Sequence, residues 1–262
     1  EHFVPAAAAA GIGLGSCAVL AAWWTDLLPI ARACWQHGIP VIGPGARPYK
    51  RGHLAVGLIE NLAAAATSAI ILASTQRTMR RSLDELGIRE TYALEGWEGR
   101  VLALRLQAAA GDLAASRLGG LDWIGAVGAM ADRLFREAGY PVGSAFESSA
   151  HDVVADVRTR EQGGLNVANL TIESLGLFAQ PEQALRLMTV HASKGREFDG
   201  VAVIRVNESR FPHFSASSPP QIEEGRRALY VALTRARRLL SLYVDTALRG
   251  NGPSRFLSNL SN

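Results

Sequence analysis

The sequence contains little cysteine and no cluster of histidine and cysteine with metal-ligand spacing. Its two cysteines, Cys17 and Cys34, are each flanked by apolar residues, which predicts two buried thiols rather than a disulfide or a metal pair. No metal site is therefore expected in this chain. Without a disulfide framework, the composition favours a cytoplasmic globular protein, and 262 residues are enough to bury a sizeable core.

Neither a membrane span nor a signal peptide is expected from the sequence. Residues 54–73 are largely apolar, but polar side chains interrupt them, so we expect a buried helix leading into a strand at 69–73. Residues 6–15 have no charged n-region, and residues 1–16 are expected to form a flexible lead. No membrane partner is predicted.

A phosphate-binding loop and a Mg²⁺-binding acidic pair are missing as well. The pattern G-x-x-x-x-G-K-[ST] does not occur, because GIGLGS at 11–16 has no lysine and GPGARPYKRG at 43–52 has the wrong spacing. Asp84 and Glu85 do not follow an apolar strand. The chain is therefore not expected to hold a triphosphate and Mg²⁺ by itself.

The most informative feature that is present is a polar loop between two apolar segments, LMTVHASKGREFD at 187–199. The pattern predicts strands at 185–190 and 200–206, joined by a turn at 191–197. Loops at strand ends in open α/β sheets carry ligand groups on a rigid support. The loop is therefore a candidate site.

An arginine-rich segment, EEGRRALYVALTRARRLL at 223–240, follows further along the chain. Its apolar residues recur with i, i+3, i+4, i+7 spacing, which predicts a helix over 223–240 with one face on the sheet. Arginine is the side chain suited to bidentate phosphate binding. We expect Tyr230 to pack against the sheet and Arg227 to pair with a carboxylate.

Between these segments and the N-terminal region, residues 90–161 have a mostly helical pattern. Helices are predicted at 101–113 and 122–138, and Gly139 is placed to end the second. One apolar stripe is expected to form core: Val127, Met130, Ala131, Leu134 and Ala138.

The loop at 187–199 and the segment at 223–240 together resemble motifs V and VI of the UvrD/Rep-type superfamily 1 DNA helicases. Residues 17–45 are similar to the motif IV strand, helix and following strand of that family. NESRFPH at 207–213 is similar to its EEG-FP segment, and PSRFL at 253–257 to its closing PSRF. The chain is thus identified as resembling the C-terminal part of such a helicase.

The resemblance implies an α/β fold with a RecA-like parallel sheet flanked by helices, the second motor domain of a P-loop NTPase, with a helical insertion. Residues 17–89 and 181–262 are expected to form the RecA-like domain 2A. Residues 90–180 are expected to form a mostly helical, reduced version of the 2B insertion. An N-terminal RecA-like domain of the same polypeptide is the implied partner, and a first residue of Glu fits a C-terminal fragment.

The implied activity is that of an ATP-dependent DNA helicase, with this chain inactive alone. By resemblance, Arg235 of the sequence TRA is the catalytic arginine finger that reaches the γ-phosphate of ATP, and Glu197 accepts a hydrogen bond from the ribose. Gly195 completes the ATP-binding loop. The implied cofactors are ATP and Mg²⁺, with the Mg²⁺ ligands in the N-terminal domain.

The other implied partner is single-stranded DNA. Thr189 and His191 correspond to positions that face the strand in the family, where a hydroxyl and an imidazole bond phosphate oxygens without reading bases. Lys194 either binds DNA phosphate or shapes the turn. Translocation from 3′ to 5′ and association with repair or recombination subunits are also implied by resemblance alone.

One departure concerns motif IV, which in the family reads like LYRSN with a second arginine for the γ-phosphate. Here Ala22 stands in that position. Either Arg32 or Arg47 substitutes for the missing arginine, or the protein hydrolyses ATP with one finger, or it has a non-motor role. The non-motor role would be that of a degenerate helicase-like module that binds DNA or a partner without hydrolysis. A further alternative is an unrelated α/β enzyme.

Overall fold

The computed structural model describes residues 2–68, 72–88, 92–164, 166–247 and 252–260. Contacts divide the chain into two compact units. Residues 1–46 and 181–262 make up the first, which we call the sheet unit, and residues 47–180 make up the second, which we call the helical unit.

The sheet unit contains a five-stranded sheet in the order β2-β3-β1-β4-β5, with every neighbouring pair parallel. The strands are β1 Cys17–Ala21, β2 Val41–Ile42, β3 Leu185–Thr189, β4 Phe198–Val203 and β5 Ala236–Leu242. This arrangement confirms the predicted α/β fold with a RecA-like parallel sheet flanked by helices. The strands expected around the polar loop and at the start of the 17–45 segment are confirmed too.

The α-helices of the sheet unit are α1 Phe3–Ala9, α2 Leu28–Gln36 and α9 Pro219–Leu233, and those of the helical unit are α3 Val56–Thr67, α4 Leu72–Glu85, α5 Trp97–Ala115, α6 Gly120–Glu137, α7 Ala145–Gln162 and α8 Ile172–Leu177. The predicted helices at 101–113 and 122–138 are confirmed within α5 and α6. Gly139 follows α6 with a φ of 88°, as expected for a helix-ending glycine.

The central strands form the core of the sheet unit because nearly all their side chains are apolar. Every residue of β1 is buried, as expected for a parallel strand covered on both faces. Leu20 pairs in register with Met188 on one side and Val203 on the other. Leu229 of α9 belongs to the same buried cluster, so α9 covers one face of the sheet.

The predicted helix over 223–240 is wrong beyond residue 233. Thr234 caps α9, and Ala236 instead begins β5, which pairs with β4 from Phe198 onward. Strand pairing satisfies the backbone of this segment, and that tertiary gain overrides the helical spacing. Tyr230 is also not packed on the sheet: it is 67% exposed, because the buried face of α9 carries Leu229 and Ala232.

The N-terminal segment is folded, in contrast to the expected flexible lead. Residues 3–9 form α1, and Phe3, Ala7 and Ile12 are buried. Gly200 of β4 lies against the Phe3 ring, where an added Cβ would come within 3.4 Å of it. These contacts explain why the segment is ordered.

The cysteines are buried as predicted. Cys17 lies in β1 and Cys34 in α2, and both are free thiols. Burial is the main reason that the pKa of each thiol is raised above its ordinary value. A raised pKa keeps the reactive thiolate scarce, which fits a structural role.

The helical unit begins earlier along the chain than the expected insertion does. Residues 47–89 are expected from the resemblance to belong to the sheet domain, whereas the contacts group them with 90–180. The reason is that α3 packs against α5 and α8. At Gly176 of α8 an added Cβ would stand 2.8 Å from the Ala64 backbone, so a glycine is needed for this close approach.

The predicted stripe of α6 is buried at four of its five positions, and only Ala138, which follows the helix, is exposed. The apolar segment at 54–73 contains the buried helix α3, as expected. Residues 69–71 of the predicted strand lie outside the described residues, and Leu72 already belongs to α4. Among the described residues, no helix is both long and apolar enough to span a membrane.

Candidate functional site

The carboxyl ends of β1 and β3 bring the first candidate residues together. Ala21 pairs with Thr189, and the Val190 amide donates to the Ala21 carbonyl at 2.9 Å. Ala22 and His191 therefore follow two adjacent strand ends, and both line a cavity of about 410 Å³. The Thr189 hydroxyl oxygen accepts from the Ala192 amide at 3.3 Å, which leaves its own O–H as a donor.

The loop after β3 turns sharply around a buried serine. The Ser193 hydroxyl donates to the Val190 carbonyl at 2.6 Å and closes a 3₁₀ turn over His191–Ser193. Gly195 has a φ of 77°, a conformation that favours glycine, and open space surrounds it. Lys194 is exposed, with no ion-pair partner within the described ranges. Gly195 thus shapes the turn, and Lys194 presents a charge to solvent.

Glu197 stands at the other end of the sheet, before the first residue of β4. Nε of Arg237 donates to its Oε2 at 3.0 Å, and Nη2 of Arg237 lies 3.0 Å from the same oxygen in an ion pair. The Oε1 atom remains available to another donor. Glu197 and Arg237 line a cavity of about 420 Å³ together with Arg186, Arg196 and Asp199, so this surface carries charges of both signs.

Arg235 lies in the turn between α9 and β5, and neutral oxygens hold its guanidinium from three directions. Nε donates to the Val231 carbonyl at 3.0 Å, Nη1 to the Arg196 carbonyl at 3.0 Å and Nη2 to the Thr234 hydroxyl at 3.1 Å. A guanidinium has five N–H donors, so two remain, one on each Nη atom. In the part of the chain that the structure describes, no carboxylate pairs with Arg235.

Three of the four neighbouring arginines, unlike Arg235, have a carboxylate partner in the described ranges. Arg226 and Arg227 both pair with Glu223 one turn earlier on α9, as expected for Arg227, and Arg237 pairs with Glu197. Arg238 donates to the Ala10 carbonyl. Arg235 therefore combines a fixed position with an uncompensated charge, which is the combination that a phosphate ligand requires.

The candidate residues form two groups rather than one. Thr189 and His191 stand at the carboxyl ends of the strands, whereas Glu197 and Arg235 stand at the amino ends of β4 and β5, joined by the amide of Phe198 donating to the Arg235 carbonyl at 2.9 Å. The length of a five-residue strand, about 17 Å, separates the two groups along the strand direction. Lys194 and Gly195 lie in the loop that connects them.

The surroundings of Ala22 contain an arginine that no sequence pattern indicates. Arg210 lines the same cavity as Ala22. Its Nε donates to Oδ2 of Asp26 at 2.9 Å, and its guanidinium lies over the Trp23 ring, 4.1 Å from the centroid. Asp26 is 4% exposed and also binds Arg205 at 2.5 Å. No local pattern signals this cluster, because its members meet only through the fold.

The two arginines expected to replace the missing one have other positions. Arg47 belongs to the helical unit, where its Nη2 donates to Glu60 at 2.8 Å and its guanidinium lies over the Phe178 ring. Arg32 is exposed on α2. Of the described arginines, Arg210 is the one that lines the cavity with Ala22.

The segments NESRFPH and PSRFL, remote in sequence, meet beside this cavity. Asn207 forms a bridge with Pro253, and the Arg255 guanidinium binds Glu208 at 3.0 Å. Burial alone raises the pKa of the Glu208 carboxyl, but hydrogen bonds from Arg255 outweigh it and hold the pKa below its ordinary value. The Ser254 hydroxyl donates to the Phe211 carbonyl. These contacts fix the segment that carries Arg210.

Ser209 occupies an unfavourable position within this segment. Its φ is 75°, and its buried hydroxyl has no hydrogen-bond partner among the described residues. Replacing Ser209 with glycine removes the strain of the positive φ and the unpaired buried hydroxyl. The greater conformational entropy of glycine in the unfolded chain offsets part of this gain. We therefore expect the free energy of unfolding to rise by about 1 kcal/mol. Urea unfolding of Ser209→Gly, with the exposed Ser217→Gly as control, measures the change. Equal or lower stability of Ser209→Gly would contradict this interpretation.

The described residues contain no group of three or more His, Cys, Asp or Glu side chains that could hold a metal ion. Glu197 and Asp26 are each bound by arginine, and Asp199 and Glu224 line different cavities.

Comparison with known proteins gives one family match, to the UvrD-like helicase C-terminal domain, over residues 165–246. This range includes the polar loop, α9 and β5. It leaves out β1 and most of the helical unit.

Curated relatives match over a similar part of the chain. The ATP-dependent DNA helicase Rep of Buchnera aphidicola subsp. Schizaphis graminum is 41% identical over 86 residues, which is 30% of this chain and 13% of the relative. The ATP-dependent DNA helicase PcrA of Staphylococcus epidermidis is 39% identical over 93 residues, 31% of this chain and 12% of the relative. The ATP-dependent DNA helicase Rep of Salmonella typhimurium is 37% identical over 103 residues, which is 36% of this chain and 15% of the relative. The matched segments thus represent a small share of each relative's length.

Proposed function

We propose, from the match of residues 165–246 to the UvrD-like helicase C-terminal domain, that this chain is the C-terminal motor part of an ATP-dependent superfamily 1 DNA helicase. In this proposal ATP binds between the sheet unit and an N-terminal RecA-like domain of the same polypeptide. That domain supplies the phosphate-binding loop and the Mg²⁺ ligands. The sheet unit is domain 2A, and the helical unit is a reduced 2B.

The observation that carries the proposal is that the Arg235 guanidinium is held in place without a carboxylate partner among the described residues. Three neutral acceptors hold its guanidinium, and two N–H groups remain for an anion. We assign Arg235 as the arginine finger, which neutralises charge that builds on the γ-phosphate oxygens in the transition state. Arg226 and Arg237 are less suited to this role, because carboxylates already compensate them.

Glu197 is assigned to the ribose of ATP. Arg237 occupies only Oε2 and fixes the orientation of the carboxylate. The Oε1 atom is then free to accept a hydrogen bond from a ribose hydroxyl. Gly195 supplies the left-handed turn that leads the chain from β3 back to Glu197.

We assign the binding of single-stranded DNA to the carboxyl ends of β1 and β3. Thr189 offers its O–H, His191 an exposed imidazole and Lys194 an exposed ammonium group. Such groups bind phosphate oxygens without sequence preference. ATP-driven closure of the two RecA-like domains would then move the strand across the loop after β3. Repair or recombination subunits are further proposed partners.

The alternative is a helicase-like module that binds DNA without hydrolysing ATP, and the observation that favours it is Ala22 in place of the second motif IV arginine. Steady-state ATP hydrolysis by the full-length polypeptide, with and without single-stranded DNA, separates the two. We expect DNA-stimulated turnover, and none from the 262-residue chain alone. DNA binding without any turnover would reject the motor proposal and favour the binding module.

A further inference from the structure

The helical unit contains a polar cavity of about 330 Å³ that the proposed function does not use. Side chains from two segments line it, one at 51–61 that includes the first turns of α3 and one at 74–85 within α4. Its ionisable side chains are those of Arg51, His53, Glu60, Arg77, Arg81 and Glu85. All of them belong to the helical unit, so the cavity is a feature of that unit alone.

The two carboxylates of the cavity are already compensated. Nη2 of Arg47 donates to Oε2 of Glu60 at 2.8 Å, and the Tyr49 hydroxyl donates to Oε1 at 3.0 Å. Nε of Arg81 donates to Oε1 of Glu85 at 2.9 Å, one helical turn away. Neither carboxylate therefore needs a further cation.

Two of the arginines that line the cavity carry uncompensated charge. Arg51 and Arg77 are exposed, and neither has a carboxylate partner among the residues that the structure describes. Nε2 of His53 lies 2.8 Å from Oδ2 of Asp156, a carboxylate that does not line the cavity. Two guanidinium groups are thus in surplus, and guanidinium is the side-chain group suited to bidentate phosphate binding.

Hydroxyl groups on one face of α4 add neutral donors. Ser82 is only 3% exposed and lines the cavity, yet its hydroxyl has no hydrogen-bond partner among the described residues. Ser74 Oγ accepts from Nδ2 of Asn61 at 2.8 Å, which leaves its own O–H to donate. The Thr78 hydroxyl, in contrast, already donates to the Ser74 carbonyl at 2.8 Å. A buried hydroxyl without a partner is costly unless a ligand or water satisfies it.

We propose that this cavity binds the phosphate group of a small phosphorylated compound, with Arg51 and Arg77 as charged donors and Ser74 and Ser82 as neutral donors. A phosphate monoester carries about 1.5 to 2 negative charges at pH 7, which matches the two surplus guanidinium groups. A backbone phosphate of DNA carries one charge and continues into a sugar on both sides, which suits an open groove better than a cavity of this size. None of these residues takes part in the ATP and single-strand contacts proposed for the sheet unit.

The test is isothermal titration calorimetry of the 262-residue chain with inorganic phosphate. Every variant also carries Arg235→Ala, so that phosphate bound by Arg235 is not counted. Arg77→Ala and Ser82→Ala are each expected to weaken phosphate binding about tenfold, the lower end of the loss of one hydrogen bond to a charged group. Because Arg77 is exposed, its replacement leaves the core of the unit intact.

Arg80→Ala is the matched control for Arg77→Ala. Arg80 is an exposed arginine of the same helix, Glu95 compensates its charge, and it does not line the cavity. Phosphate binding by Arg80→Ala is expected to equal that of the background chain. The proposal is overturned if Arg77→Ala and Ser82→Ala bind phosphate as Arg80→Ala does, or if the background chain binds no phosphate in the millimolar range.

Two further probes distinguish a small ligand from DNA. Ribose 5-phosphate is expected to compete with inorganic phosphate and to bind at least as tightly, because the cavity is large enough for a small organic group beside the phosphate. An oligodeoxythymidylate with hydroxyl ends is expected not to displace phosphate. Failure of ribose 5-phosphate to compete would overturn the proposal and leave a site for an adventitious ion only. Displacement of phosphate by the oligonucleotide would overturn it in favour of a site for the DNA backbone.

Discussion

Arg235→Ala is expected to lower DNA-stimulated ATP turnover of the full-length polypeptide about a thousandfold, the lower end of the effect of an arginine finger. Such a loss corresponds to about 4 kcal/mol of transition-state stabilisation. The large size follows from the geometry, because the guanidinium is already fixed by Val231, Arg196 and Thr234. Its charge would then act on the γ-phosphate without reorganisation.

Two further variants make this prediction specific. Arg235→Lys keeps the charge but removes the planar fork, so most of the loss is expected to persist. Arg226→Ala removes an exposed arginine of α9 whose charge Glu223 already compensates, and turnover is expected to stay near that of the wild type. Rates that fall equally in Arg226→Ala and Arg235→Ala would mean that general positive charge, not a finger, is lost.

Asp26→Ala is expected to reduce the free energy of unfolding of the sheet unit by about 3 kcal/mol, as when one partner of a buried ion pair is removed. Asp26 is 4% exposed and binds both Arg205 and Arg210. Without its carboxylate, two guanidinium groups face each other with little compensation. Urea denaturation of wild type and variant measures the difference.

Asp245→Ala is the control for this effect. The Asp245 carboxylate lies 3.4 Å from the Arg205 guanidinium and is more exposed than that of Asp26. Asp245→Ala is therefore expected to lower the free energy of unfolding much less than Asp26→Ala does. Asp26→Asn, which keeps the volume but not the charge, is expected to lie close to Asp26→Ala. If the urea-unfolding midpoint of Asp26→Ala equalled that of the wild type, the ion pairs of Asp26 with Arg205 and Arg210 would contribute nothing to stability.

The sequence was sufficient to predict the central strands because their pattern is local. β1 and β4 are almost wholly apolar, which is typical of buried parallel strands. The polar loop between β3 and β4 interrupts two apolar segments, so its position could be read directly. The helical spacing of α6 likewise placed its buried face.

The sequence failed where tertiary contacts decide. Residues 236–240 carry helical spacing, yet hydrogen bonding to β4 makes them a strand, and no local pattern reports that pairing. The cluster around Ala22 unites Trp23 and Asp26 with Arg205 and Arg210 from a distant part of the chain. Its members have no sequence spacing in common, so only the fold brings them together.

The most direct test of the motor proposal is the structure of the full-length polypeptide with ADP, Mg²⁺ and a metal-fluoride mimic of the γ-phosphate in the transition state. The proposal predicts the Nη atoms of Arg235 within about 3 Å of the mimic, while its backbone stays in the turn before β5. A mimic bound by another arginine, with Arg235 still turned to the Arg196 carbonyl and away from the nucleotide, would contradict it.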